Sequence, residues 1–415
     1  MRPRIVILAD DLSGAADCAA ACHQAGLRST VCLDPQALGQ SAEALTLDLD
    51  SRALPAAEAR ARTLAVKAPA GQALYRKIDS TLRGHVALDI AAALEIAGPG
   101  AFALVCPAYP ATGRAMRDGG VFVDGRPLAD TEIWALGGRG STDLKILLGE
   151  AGLAPVGVGL ATVRGPGLRQ ALETARAGGA RAAVCDAETE ADLQAIVAAG
   201  LSMPGVVWAG SAGMTLPLAQ ALSQGGQPQD ETPARRAGPI LVAVGSASSV
   251  SRQQVAVLAQ DSRVVTLTIS PSVLLAGPES PGWRPASRGI VAAVGKAGKD
   301  VVAVVIDPEP PADPRVRPAL AAAFGVMVGR QLGRFGALVA TGGETARAIL
   351  SVAEAHALCV RRELEPGVVL STAGALPVVT KAGAFGHADS LLKAVEALRA
   401  LPLARAPVPG QRSGP

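Results

Sequence analysis

Short apolar runs of Val, Ile, Leu and Ala recur along the chain, each closed by small or polar residues and most followed by a stretch with helical spacing. Runs bounded in this way read as strands buried on both faces of a parallel sheet, alternating with helices. That pattern predicts an α/β fold. The first strand is expected over 5–8. It ends in Ala9-Asp10-Asp11, after which Ser13 is the expected N-cap of an alanine-rich helix carrying Asp17 in its first turn. Further strands are expected over 30–33, 45–49, 73–78, 101–106, 156–160, 182–185 and 205–209, with helices over 55–68, 167–177 and 190–199. The turn Asp118-Gly119-Gly120, the run Val121–Val123 and the pair Asp124-Gly125 have hairpin chemistry and predict an excursion over the sheet edge.

Residues 224–238, QGGQPQDETPARRAG, are polar, rich in Pro and Gly and without period, and read as a linker. The expected organisation is a first domain over 1–223, the linker, a second domain over 239–402, and a disordered tail over 403–415. Each domain is expected to be a mostly parallel sheet flanked by helices. In the second, strands are expected over 240–244, 300–307, 337–340, 368–371 and 378–381, a loop over 308–314, and helices from about Ser251 and near 390–401.

Length and composition agree with two domains, since 415 residues exceed what one core comfortably serves. Only 2% of residues are aromatic, so Ala, Val and Leu must make the close contacts. A net charge of +3 without a basic run gives no footprint for nucleic acid. No apolar run reaches membrane-spanning length, and the N-terminal apolar run is too short for a signal peptide. A cytoplasmic protein is the expectation. The six cysteines and four histidines are scattered without zinc spacing and read as buried thiols and isolated imidazoles.

Candidate chemistry gathers at strand ends, where open α/β sheets bind ligands. Asp10 and Asp11 follow the first strand. Arg52, after the third, is suited to clamp a carboxylate with two parallel hydrogen bonds. Lys77, Ile78, Asp79, Ser80, Thr81 and Arg83 follow the fourth, and Lys77 lies inside an apolar run, where a lysine needs a partner. Arg114 and Thr131-Glu132 are weaker candidates, and Ser211-Ala212-Gly213 has the composition of an anion nest. In the second half, Gly245-Ser246, Gly342-Gly343-Glu344-Thr345 and Lys381 to Gly386 are glycine turns after strands, two of them opening helices. Glycine there lets phosphate oxygens reach the backbone and the helix N-terminus. Neither GxxxxGK[ST] nor GxGxxG is present. Glycine turns of this kind also bind dinucleotides, so a dehydrogenase is the nearest enzymatic alternative; a non-catalytic sensor of a small ligand is another.

ADDLSGAAD, DLDSR, KIDSTLRG, PAYPATGR with VFVDGRPLADTE, GSASSVSRQQ, GGET and KAGAFG, in that order, resemble the motifs of the four-carbon acid sugar kinase family across nearly the whole chain. The resemblance implies an acid-sugar-binding first domain and a nucleotide-binding second domain, with the active site in the cleft between them. It implies phosphorylation of the terminal hydroxyl of threonate, erythronate or a 3-oxo-tetronate, with ATP and Mg²⁺ as cofactors and no metal ligand assigned. Substrate contacts would fall on Asp11, Arg52 and Lys77 to Ser80, and ATP contacts on Ser246, Gly342 to Thr345 and Gly386. Asp11, then Asp79, is the expected base, Arg52 with Lys77 or Arg83 the carboxylate holder, and Lys381 an added cation for phosphate. The partner expected is a small sugar acid, with self-association left open. Ser13 and Ser251 replace threonines usual in the family, and Ala382 and Ala384 replace more polar residues.

Overall fold

The computed structural model describes residues 3–34, 42–67, 71–138, 140–223, 225, 232–246, 248–307, 316–383 and 385–404. The chain forms two compact units, one of Met1–Gln229 with His356–Arg362, the other of Asp230–Ala355 with Glu363–Pro415. Residues 356–362, inside the range expected for the second domain, thus pack with the first. Residues 224 and 226–231 of the expected linker, the loop at 308–314 and the tail beyond Ala404 lie outside the described residues.

The strands of the first unit are β1 (Ile5–Ala9), β2 (Ser29–Cys32), β3 (Ala44–Asp48), β4 (Ala73–Lys77), β5 (Phe102–Cys106), β6 (Arg114–Arg117), β7 (Gly120–Val123), β8 (Arg126–Pro127), β9 (Pro155–Val158), β10 (Ala182–Cys185) and β11 (Val206–Gly210). Its main sheet runs β2-β3-β1-β4-β11-β5-β10-β9, all parallel. Every residue of β1 is buried, as a strand covered on both faces must be. The helix Leu12–Gln24 lays Ala15, Ala16, Ala19 and Ala20 into the core, where small side chains allow close approach. Its N-cap is Asp11, not Ser13: Asp11 has extended backbone and its Oδ1 accepts the Gly14 N–H at 3.1 Å. Asp17 consequently falls in the second turn. The strands β6, β7 and β8 form a separate antiparallel sheet, which is the expected excursion. Its tip is tied down by Asp186, whose carboxylate accepts the N–H groups of Asp118 and Gly119 at 2.8 and 2.9 Å.

The second unit contributes β12 (Ile240–Val244), β13 (Val264–Ile269), β14 (Val301–Ile306), β15 (Ala337–Thr341), β17 (Val368–Ala373) and β18 (Leu376–Lys381), in the order β13-β14-β12-β15-β18-β17 and parallel except for β17 against β18. Strand β16 (Ala357–Glu365) begins in the first unit, where Ala357, Leu358 and Cys359 pair antiparallel with Cys32, Val31 and Thr30 of β2.

The strand order reverses between β1 and β4 in the first sheet, and between β12 and β15 in the second. Ligands bind outside the carboxyl ends of strands at such reversals. Asp10, Asp11 and Lys77 stand at one, Gly245 and Gly342 at the other.

Candidate functional site

In the first unit, backbone bonds bring three loops together. The Asp10 carbonyl accepts the N–H groups of Ser51 and Arg52 at 2.9 and 3.1 Å, which carries the segment after β3 across the end of β1. The Ile78 N–H donates to the Gly210 carbonyl at 2.8 Å, and the Ile78 side chain is buried in the core. Arg52 then donates from Nε to Asp10 Oδ2 at 2.6 Å and from Nη2 to Asp10 Oδ1 at 2.8 Å. Its Nη1 lies 2.8 Å from Asp11 Oδ2, and Nη2 3.8 Å from Asp79 Oδ1. Asp79 is gripped in turn by Arg83, at 2.7 and 2.9 Å, and by the Thr81 hydroxyl.

Three carboxylates and three cations thus share one small volume. Burial alone would raise the carboxyl of Asp10, but Arg52, with Lys77 and Arg76, outweighs it and holds it below the usual range. Burial is the largest single influence on Asp79 and would raise it, but Arg83 and Arg52, with Lys77, together outweigh burial and hold the carboxyl well below that range. Both remain ionised near neutral pH. Asp11 is the most open of the three, its side chain 19% exposed against 4% for Asp10 and 10% for Asp79.

The expected clamp is already filled. Arg52 directs its fork at Asp10 and Asp11, so it orders the chain's own carboxylates rather than presenting a free fork to a ligand. Lys77 is different: only 5% exposed, it makes no ion pair within 4.0 Å among the described residues. Its ammonium lies beside Gly14, where a Cβ would fall 2.7 Å from Nζ and 2.9 Å from Asp11 Oδ1. Gly14→Ala should therefore displace the flexible Lys77 tip while suiting the helix. The expected result is affinity for a small anionic ligand lowered about tenfold, equivalent to about 1.4 kcal/mol, as read by titration calorimetry.

In the second unit three bends converge. Gly342 has φ 96°, a conformation suited to glycine, and its N–H donates to the Lys381 carbonyl at 2.8 Å. The helix Gly343–Val352 then starts without a side-chain cap, which leaves its first N–H groups for an anion. Thr345 is buried against Gly245, where any Cβ would collide with its hydroxyl. Gly383 packs on Ser246 in the same way. Gly386 has φ 88° and lies against Ser390, whose hydroxyl accepts the His387 N–H at 2.8 Å and bonds to Glu365. Lys381 departs from expectation. It is 2% exposed, and Nζ donates to the carbonyls of Ala382 and Phe385 at 2.7 and 2.8 Å, turned into the protein rather than toward a phosphate.

Other sequence candidates are accounted for by packing. Thr131 caps the helix Glu132–Gly137 through Trp134, and Arg114 bonds to the Thr112 carbonyl. Ser211-Ala212-Gly213 is closed rather than an open nest, since a Cβ on Gly213 would lie 2.5 Å from the Ala108 carbonyl oxygen. Residues 79–80 do not cap a helix; the next one begins at Val86. Five of the six cysteines are buried, and burial pushes the Cys18 thiol up to about 12, with Lys77 opposing. A pair the sequence reading missed lies below Asp10: Arg76, 0% exposed, with Nη2 2.7 Å from Asp89 Oδ2. The available signal was an arginine between Tyr75 and Lys77 in a buried strand.

The chain is a two-domain α/β protein, with an acid–base cluster at the strand reversal of one parallel unit and glycine bends at that of the other. Residues 5–218 match the family described as Sugar-binding N-terminal domain, and residues 241–391 that described as Nucleotide-binding C-terminal domain. The chain is 42% identical to the D-threonate kinase of Cupriavidus necator, over 95% of this chain and 97% of that one. It is 34% identical to the D-threonate kinase of Bordetella bronchiseptica, over 96% and 98%. Relatives of lower identity are a 3-oxo-tetronate kinase and a D-erythronate kinase. A solved structure from Salmonella typhimurium LT2, described as a putative tRNA synthase, shares the fold with a TM-score of 0.77 at 20% identity, covering 95% of this chain and 99% of that one. The chain belongs to the four-carbon acid sugar kinase family, and it is a kinase. Among the described residues no helix is long and apolar enough to cross a membrane.

Proposed function

We propose that this kinase transfers the γ-phosphoryl group of ATP to the terminal (4-) hydroxyl of a four-carbon sugar acid, with D-threonate the first candidate because the relatives from Cupriavidus necator and Bordetella bronchiseptica described above, at 42% and 34% identity, carry that name. The observation that carries the reading is the juxtaposition of Lys77 and Asp11 around Gly14 at the strand reversal. Lys77, with the half-exposed Arg83, balances the substrate carboxylate. Asp11 accepts the hydrogen of the attacking hydroxyl, and Asp79, pinned by Arg83, orients it. Phosphoryl transfer asks mainly for positioning and charge neutralisation, which such a cluster supplies. The N–H groups at the Gly342 and Gly386 bends hold the nucleotide's phosphates.

Among the described residues no group of three His, Cys, Asp or Glu side chains could hold a metal. Asp10, Asp11 and Asp79 are engaged by arginines, so Mg²⁺ would enter on the nucleotide's phosphates. Bound there, it would supply charge neutralisation for the phosphates. A coupled ADP-release assay on purified protein with D- and L-threonate, D- and L-erythronate and the 3-oxo acids tests the reading. D-threonate should turn over fastest, and EDTA should abolish the signal. Absence of turnover with every four-carbon acid would overturn it.

A further inference from the structure

The bend after β18 turns its carbonyls inward onto a set of side chains. Beyond the two Lys381 bonds, the hydroxyls of Ser248 and Ser251 both donate to the Gly383 carbonyl at 2.7 Å. Gln254 Nε2 donates to the carbonyls of Phe385 and His387 at 3.1 and 2.8 Å. Four side chains, from β18 and from the helix Ser249–Leu258 with its cap, thus hold the carbonyls of Ala382, Gly383, Phe385 and His387. Peptide units are rigid and trans, so a carbonyl aimed inward aims the following N–H the other way. The N–H groups of Gly383 and Gly386 are turned outward by this means.

We propose that Lys381, Ser248, Ser251 and Gln254 are positioning residues that set the bend for the nucleotide by holding its carbonyls, and that Lys381 itself touches no phosphate. The proposal rests on the ATP-dependent reading above. Ser251 and Gln254 are 0% exposed, so neither reaches a ligand directly. A neutral lysine amine keeps two N–H groups, one for each carbonyl Lys381 holds, so the strut works without its charge. Burial pushes the Lys381 ammonium down to about 8, with Glu365 the charged group opposing.

Calorimetric ATP affinity of the full chain tests this, with D-threonate affinity in the absence of nucleotide as the control. Ser251→Ala and Gln254→Leu should each weaken ATP binding about five- to tenfold, the scale of one buried hydrogen bond. Lys381→Met should weaken it more, and Lys381→Met combined with Ser251→Ala should fall well short of the product of the two effects. D-threonate affinity should not move. In the unaltered protein, ATP affinity should stay within about twofold between about pH 7.5 and pH 9, a range that spans loss of the lysine charge. A direct phosphate contact predicts the reverse: affinity falls across that range, and Ser251→Ala is silent. Either result overturns the proposal. Should Lys381→Met fail to fold, Ser251→Ala and the pH series decide alone. Protein that binds no ATP would sink the kinase reading and this with it, whereas normal ATP binding by both Ser251→Ala and Gln254→Leu sinks only this.

Discussion

Asp11→Asn should lower kcat about 10²- to 10³-fold, the range expected to be lost with a positioned proton acceptor, while sugar-acid affinity should change only a few-fold. Asparagine caps helices as well as aspartate does, so its side-chain oxygen still takes the Gly14 N–H and the helix Leu12–Gln24 keeps its start. What disappears is the negative charge 2.8 Å from Arg52 Nη1 and the oxygen able to receive the hydroxyl hydrogen. Steady-state kinetics beside a melting curve check it: kcat should fall with the melting temperature held. A kcat within threefold of the parent would remove Asp11 from the reaction.

Arg52→Met has the larger effect on folding. It strips Asp10, almost wholly buried, of both its guanidinium bonds and takes a counter-charge from Asp11 and Asp79. Removing one partner of a buried ion pair typically costs about 3–5 kcal/mol, because the remaining charge is stranded. The first unit should melt at a markedly lower temperature, and adding Asp10→Asn should recover part of the loss by removing the stranded charge. A single variant as stable as the parent, or a double variant less stable than the single, would show that the pair does not hold this site together.

The alternation of apolar runs with helical stretches made most of the parallel strands readable, because strands covered on both faces are almost wholly apolar. The run 182–185 matches β10 and 240–244 matches β12. Strand β13 escaped notice because its burial alternates, as suits the edge of a sheet, and threonines interrupt the run. Strand β16 carries Arg361, Arg362 and two glutamates, a composition that resembles a surface loop until its pairing with β2 is seen. At the site, residue types at strand ends were legible, but the direction of long side chains was not. Whether Arg52 faces a ligand or Asp10, and whether Lys381 faces out or into its own bend, depends on partners distant in sequence or on the path of the loop. Of the Arg76–Asp89 pair only the arginine was legible, as a cation within a buried strand; nothing near Arg76 in the chain announces its carboxylate.

The pairing of Ala357 to Cys359 with β2 also governs how the gene can be divided. A truncated product ending at residue 229 would lack the strand that closes that side of its sheet. The bared backbone of β2 would then be a template on which further molecules could add, so such a fragment should be recovered as aggregates. Splicing the stretch 356–362 back as an appended strand is the change that should keep an isolated sugar-binding half in solution.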